Sequence, residues 1–172
     1  MDYRYWDSVA FLGWLSSEPD KAPHCRAVLD AAKAGQIVII TSALTIPEVL
    51  WLKNQAKLPA AQAKAIEAFF LHKWIVIRDV DRFVAEDARR LVWDKNVKPK
   101  DAIHLATALR QDVEIDQFDT FDEGLIKLSG SLGDPPLQIG FPNLPPKLPF
   151  EQEDVPTDPG GKAGGEDEDP GS

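Results

Sequence analysis

Apolar and polar positions repeat with two different periods over the first 140 residues of this chain, and the two periods alternate. Residues 3–6 form a short apolar-aromatic run that reads as a strand, and residues 9–15 follow as an apolar helix. Residues 22–34 place Val28, Leu29 and Ala32 on one helical face, and Gly35 stops that helix just past its C-cap. Residues 37–41 are an unbroken β-branched run, the signature of a strand buried on both faces. Ser42 is placed to cap a further helix whose stripe is Leu44, Glu48, Trp51 and Leu52.

Pro59 suits the first turn of a helix running to about residue 71, and residues 74–80 alternate as another strand. Asp81 caps a long amphipathic helix to Lys95, with Phe83, Ala88, Leu91 and Val92 facing inward. Pro99 opens the next helix, where Ala102, Leu105, Ala106 and Leu109 recur at i, i+3, i+4 and i+7. Residues 114–118 form a weak strand, 122–128 a short helix and 137–139 a last strand. Strands alternating with helices predict an α/β chain: a three-layer α/β/α sandwich around a central parallel sheet. Sites in such folds form beyond the carboxyl ends of the strands.

After Gly140 the periodicity stops. Residues 141–150 hold four prolines and read as an extended strap, and residues 151–172 are acidic, rich in Gly and Pro and of low complexity. One domain over residues 1–140, a proline-rich strap and a disordered acidic tail are therefore expected.

Composition sharpens this picture. A chain of 172 residues supports one good core. The single Cys25 excludes an internal disulfide and a cysteine zinc cluster. The apolar run at 37–40 is too short to span a bilayer, and no signal-peptide pattern opens the chain, so a soluble cytoplasmic protein is expected. The net charge is −9, but the eight acids beyond residue 150 face only Lys162, which leaves −2 for residues 1–150. That near-neutral body lacks the basic footprint of a general nucleic-acid binder.

Four acids fall at junctions between elements. Asp7 separates two apolar runs, Glu48 lies on an apolar helix stripe, Asp101 opens a periodic helix and Asp122 follows a strand-like stretch. Each taken singly has a structural explanation as a cap, a first-turn acid or a buried ion pair. Together they call for positive charge between them, and a hard divalent ion such as Mg²⁺ or Mn²⁺ is the simplest source. Metal-assisted phosphodiester chemistry follows. Strand alternation turns Thr120 and Asp122 one way and Asp119 the other, so Asp119 is a supporting rather than a principal candidate. His24, His72 and His104 are too scattered for zinc, His104 reads as a hydrogen-bonded structural residue, and no nucleotide-binding glycine loop occurs.

The run Tyr5-Trp6-Asp7-Ser8-Val9-Ala10-Phe11-Leu12 resembles the opening acidic motif of PIN-domain ribonucleases. Residues 41–50, 98–108 and 118–125 resemble the second, third and fourth motifs, with the stretch Pro99-Lys100-Asp101-Ala102 in the most specific of them. The resemblance covers about residues 3–140. It implies that Asp7, Glu48, Asp101 and Asp122 converge to bind Mg²⁺ or Mn²⁺, with Ser8 and Thr120 as the hydroxyl residues beside them. It further implies cleavage of single-stranded or structured RNA, as in the VapC-type toxins, which are usually dimeric and inhibited by a cognate antitoxin protein. Lys98 and Lys100, flanking Asp101, are candidates to hold substrate phosphates or are simply solvated. Trp14 and Trp51, near the first two motifs, are either core or partner-facing. A PIN-like binding or regulatory module and a DNA-directed metal nuclease remain as competing readings.

Overall fold

The computed structural model describes residues 1–51 and 58–144. The strap from 145 onward, the acidic tail and Leu52 lie outside the described residues. Five strands form one sheet: β1 (Asp2–Trp6), β2 (Ile37–Ser42), β3 (Ile75–Arg78), β4 (Gln117–Asp119) and β5 (Ile139–Gly140). Their order is β3-β2-β1-β4-β5, and every pairing is parallel. Seven helices are described: α1 (Ser8–Leu15), α2 (Ala22–Lys33), α3 (Thr45–Val49), α4 (Ala60–Phe69), α5 (Arg82–Lys95), α6 (Pro99–Leu109) and α7 (Glu123–Ile126). The α/β/α architecture with a central parallel sheet is therefore as expected.

The two-residue period of the strands sorts side chains into two cores. Tyr5, Ile40 and Phe118 face the layer carrying α5 and α6, where they meet Ala102 and Leu105. Trp6 and Ile39 face the opposite layer, against Phe11 and Val28 of α1 and α2. Phe11 and Phe118 are both fully buried, and each stabilises the fold by roughly 2–3 kcal/mol. β1 is the middle strand, so its carboxyl end sits where the chain crosses to both sides, with Asp7 immediately beyond it. Gly35 takes φ 77°, the left-handed conformation that closes α2 as its glycine suggests.

Three details differ from the sequence pattern. α3 is a single short helix with Leu44 as its N-cap, so the stripe through Trp51 does not exist; Trp51 lies past the helix and is 68% exposed. Ser42 ends β2, and its Oγ accepts from the Leu44 N–H at 3.1 Å, tightening the turn rather than capping the helix. Phe83 points outward, 60% exposed beneath the Arg110 guanidinium. Val84 takes the inward place, since Val84, Ala88 and Leu91 keep the i, i+4, i+7 spacing that Phe83 breaks.

Candidate active site

The four acids sit on four different elements, all at the carboxyl edge of the sheet. Asp7 is the N-cap of α1, and 3% of it is exposed. Its Oδ1 accepts from the Ala10 N–H at 2.9 Å and its Oδ2 from the Thr120 hydroxyl at 2.5 Å. Burial pushes its carboxyl up to about 6, against the opposing influence of His104, Thr120 and the Ala10 N–H, while the charge of Asp101 adds to the rise. The cap role is thus real, and it holds a carboxylate at a place that disfavours its charge.

Asp122 caps α7 in the same manner, with Oδ1 accepting from Gly124 N–H at 2.7 Å and Leu125 N–H at 3.2 Å. Asp101 stands in the first turn of α6 and lines one cleft with Asp122 and Lys98. Its carboxyl is raised, first by burial and next by the charge of Asp122; Lys98 and His104 oppose this and Glu48 reinforces it. Asp101 thus feels the negative charge of Asp122 and Glu48, and its own charge acts on Asp7.

Glu48 has the opposite environment. Burial acts to raise it, but the hydrogen bond with His104 and the ion pair with Lys100 outweigh that and hold the carboxyl down at about 2. Lys100 Nζ lies 2.9 Å from Oε1 and His104 Nε2 lies 3.0 Å from Oε2. Lys100 is thus engaged with an acid of the site, whereas Lys98 lines the Asp101–Asp122 cleft. Beside Glu48 a groove of about 350 Å³ runs between Ser8, Leu12, Leu44 and the exposed Trp51. Trp14 packs partly buried against the α1–α2 core.

Asp119 points to the other face of the sheet. Its carboxylate accepts from Arg4, from the Trp6 indole N–H at 2.7 Å and from Gln117 at 2.9 Å. Arg4 in turn donates to the Asn143 carbonyl at 2.9 Å, which ties the start of the strap to β1. Among the described residues Arg4 Nε, a buried donor, has no partner. This ion pair is absent from the sequence pattern, since an alternating strand gives no sign of which charges will meet across it. Tyr5 gives no local sign of its role either: its hydroxyl, on the buried face of β1, needs a partner that the sequence does not name.

Among the described residues no ion pair reaches Asp7, Asp101 or Asp122. No three acidic, histidine or cysteine side chains among them converge closely enough to cage an ion as they stand. The donor chemistry nevertheless fits a divalent cation: hard carboxylate oxygens, three of the four acids without an ion-pair partner among the described residues.

The PIN domain model matches residues 4–130. The chain belongs to the PIN domain family. No curated protein matches the sequence. Two solved structures resemble the fold. One is Mycobacterium tuberculosis VapC20, a sarcin–ricin loop cleaving toxin, with 15% identity, a TM-score of 0.55, 70% of this chain and 90% of that chain covered. The other is a toxin–antitoxin complex from Klebsiella pneumoniae, with 17% identity, a TM-score of 0.57, 82% of this chain and 99% of that chain covered. At those identities the likeness concerns the PIN fold. No helix among the described residues is long and apolar enough to cross a membrane.

Proposed function

We propose that this PIN domain is a Mg²⁺- or Mn²⁺-dependent endoribonuclease acting as the toxin of a toxin–antitoxin pair. The observation that carries it is that Asp101 and Asp122, from two different elements, line one cleft at the carboxyl edge of the sheet, where burial and the charge of Asp122 raise the Asp101 carboxyl. Structural acids are normally paired singly with cations or caps; a shared negative centre at the carboxyl edge of a parallel sheet suits a bound cation. Membership of a family whose members are generally divalent-metal-dependent nucleases supports the same reading.

Asp7, Asp101, Asp122 and Glu48 would hold the metal. When bound, it supplies charge stabilisation to a phosphodiester under attack and lowers the pKa of a water. Thr120 holds the Asp7 carboxylate from the side opposite the Ala10 N–H, and Ser8 lines the groove beside Glu48. Lys98, which lines the Asp101–Asp122 cleft, would hold a substrate phosphate, and Lys100 would do so on exchanging its ion pair with Glu48 for the phosphate. In-line attack leaves a 5′-phosphate and a 3′-hydroxyl.

The toxin role rests on the fold shared with VapC20 and with the Klebsiella complex. An antitoxin segment would cover the groove beside Glu48, with the exposed Trp51 as anchor. A homodimer working in the cytoplasm, with residues 1–140 as nuclease body and residues 151–172 as an accessory tail, completes the proposal. The test is cleavage of defined RNA and DNA oligonucleotides by the purified chain, with Mg²⁺ or Mn²⁺ added and then chelated. Cleavage confined to RNA and to the metal-supplied state is expected. Cleavage of DNA alone, or none at all, contradicts it.

A further inference from the structure

A buried chain of hydrogen bonds stands behind Glu48. His104 is 2% exposed and offers its two ring nitrogens to two different partners. Nε2 is 3.0 Å from Glu48 Oε2, and Nδ1 is 2.9 Å from the Tyr5 hydroxyl. Tyr5 is wholly buried, with its ring stacked on Phe118 at a centroid distance of 4.8 Å. The chain thus runs from the middle strand, through α6, to α3.

A carboxylate can only accept, so His104 must donate from Nε2 to Glu48. With the ring neutral, Nδ1 is left as an acceptor and the Tyr5 hydroxyl donates to it, which fixes the ring's tautomer and orientation together. Burial, aided by the charge of Asp7, raises the Tyr5 phenol well above its usual range and keeps that donor in place. α3 has only five residues and no side-chain cap, so its own backbone is a poor anchor for Glu48. Asp7 directly follows the same strand, two residues after Tyr5, and the same helix carries Asp101 three residues before His104.

We propose that Tyr5 and His104 are positioning residues of the site: Tyr5 sets His104, and His104 sets the Glu48 carboxylate against Asp7 and Asp101. This rests on the nuclease reading above. Neither residue touches substrate, so their loss acts through Glu48. Orienting partners of metal ligands typically matter about 10- to 100-fold in metal affinity or activity.

The full chain carrying His104→Gln, His104→Asn or Tyr5→Phe provides the test. A glutamine amide reaches the place of Nε2 and can still donate to Glu48, whereas an asparagine amide reaches only the place of Nδ1. His104→Asn should lose about 10- to 100-fold in Mn²⁺ affinity, read by calorimetry, and a similar factor in kcat, with KM for RNA unchanged. His104→Gln should remain near wild type, and Tyr5→Phe should fall by about tenfold. Equal losses in the Gln and Asn variants, or none in either, overturn the positioning role.

Should both His104 variants fail to fold, side-chain ¹⁵N spectra of wild type and Tyr5→Phe decide. A ring protonated on Nε2 alone in wild type supports the tether, and a proton on Nδ1, alone or together with one on Nε2, overturns it. A wild-type chain that neither binds Mn²⁺ nor cleaves RNA overturns the nuclease reading and this role with it. A wild type that does both, with indistinguishable Gln and Asn variants, overturns this role alone.

Discussion

The Thr120 hydroxyl donates to Asp7 Oδ2 at 2.5 Å and itself accepts from the Asp122 N–H at 3.0 Å. One fully buried hydroxyl therefore connects the first acid of the site to the backbone of the last. Thr120→Val keeps the shape but leaves a buried carboxylate oxygen and a backbone N–H without this partner, at about 2–3 kcal/mol. Thr120→Ser retains both bonds and loses one methyl, about 1 kcal/mol. Urea unfolding of the two variants checks the ordering; equal stability would show that the bond contributes nothing.

Asp7 yields a pH dependence with a definite sign. Its folded value of about 6 lies above the ordinary 3.8, so the folded state holds the proton more tightly. The group costs nothing below about pH 4; ionising it then removes stability as pH rises to about 6, reaching roughly 3 kcal/mol at most. Asp7→Asn has no such ionisation. Without divalent ions, the variant should gain melting temperature relative to wild type from pH 4 to pH 6, and the gap should stay level above. A gap that is constant across that interval shows that the carboxyl is not raised.

How far the sequence reaches is visible in particular residues. The β-branched run at 37–41 announces a doubly buried strand, and β2 (Ile37–Ser42) is that strand, paired on both sides. Trp51 and Phe83 are exposed where the pattern expects them on an inward stripe, because a helical period says which residues share a face but not where the helix ends or which face turns inward. The acids announce themselves by interrupting apolar runs, and strand alternation separates Thr120 from Asp119. The tether from Tyr5 to His104 spans 99 residues and is invisible to any local pattern, as is the contact of Arg4 with Asp119.

Asp119 and Arg4 form a buried ion pair, with side chains 0% and 4% exposed. Asp119→Asn leaves the Arg4 charge buried without its counterion, a loss of about 3–5 kcal/mol. Because Asp119 faces Trp6 rather than Asp7, the Mn²⁺ dependence of cleavage should be unchanged in whatever fraction stays folded. Thermal melting and a metal titration separate these effects; an altered metal requirement would place Asp119 in the metal site.

Residues 151–172 carry eight acids and one base with no apolar period. Ending the chain at Phe150 should move the melting temperature by no more than about 2 °C. It should also raise cleavage and weaken its salt dependence if the tail competes with RNA for the site. A drop of about 10 °C would instead show that the tail is part of the folded body.

The central claim is that the four carboxylates act as one metal-holding unit, and Asp101 is where they are coupled. Metal-dependent cleavage of a defined RNA oligonucleotide by wild type and Asp101→Asn measures this most directly. Asparagine preserves the size of the side chain and removes one negative charge. Cleavage should fall by about a hundredfold or more, and stability without metal should hold or rise as repulsion is relieved. Adding Asp7→Asn, Glu48→Gln or Asp122→Asn to it should make cleavage little worse. An Asp101→Asn protein that cleaves normally and melts lower would contradict the account, leaving Asp101 as an ordinary acid in the first turn of a helix.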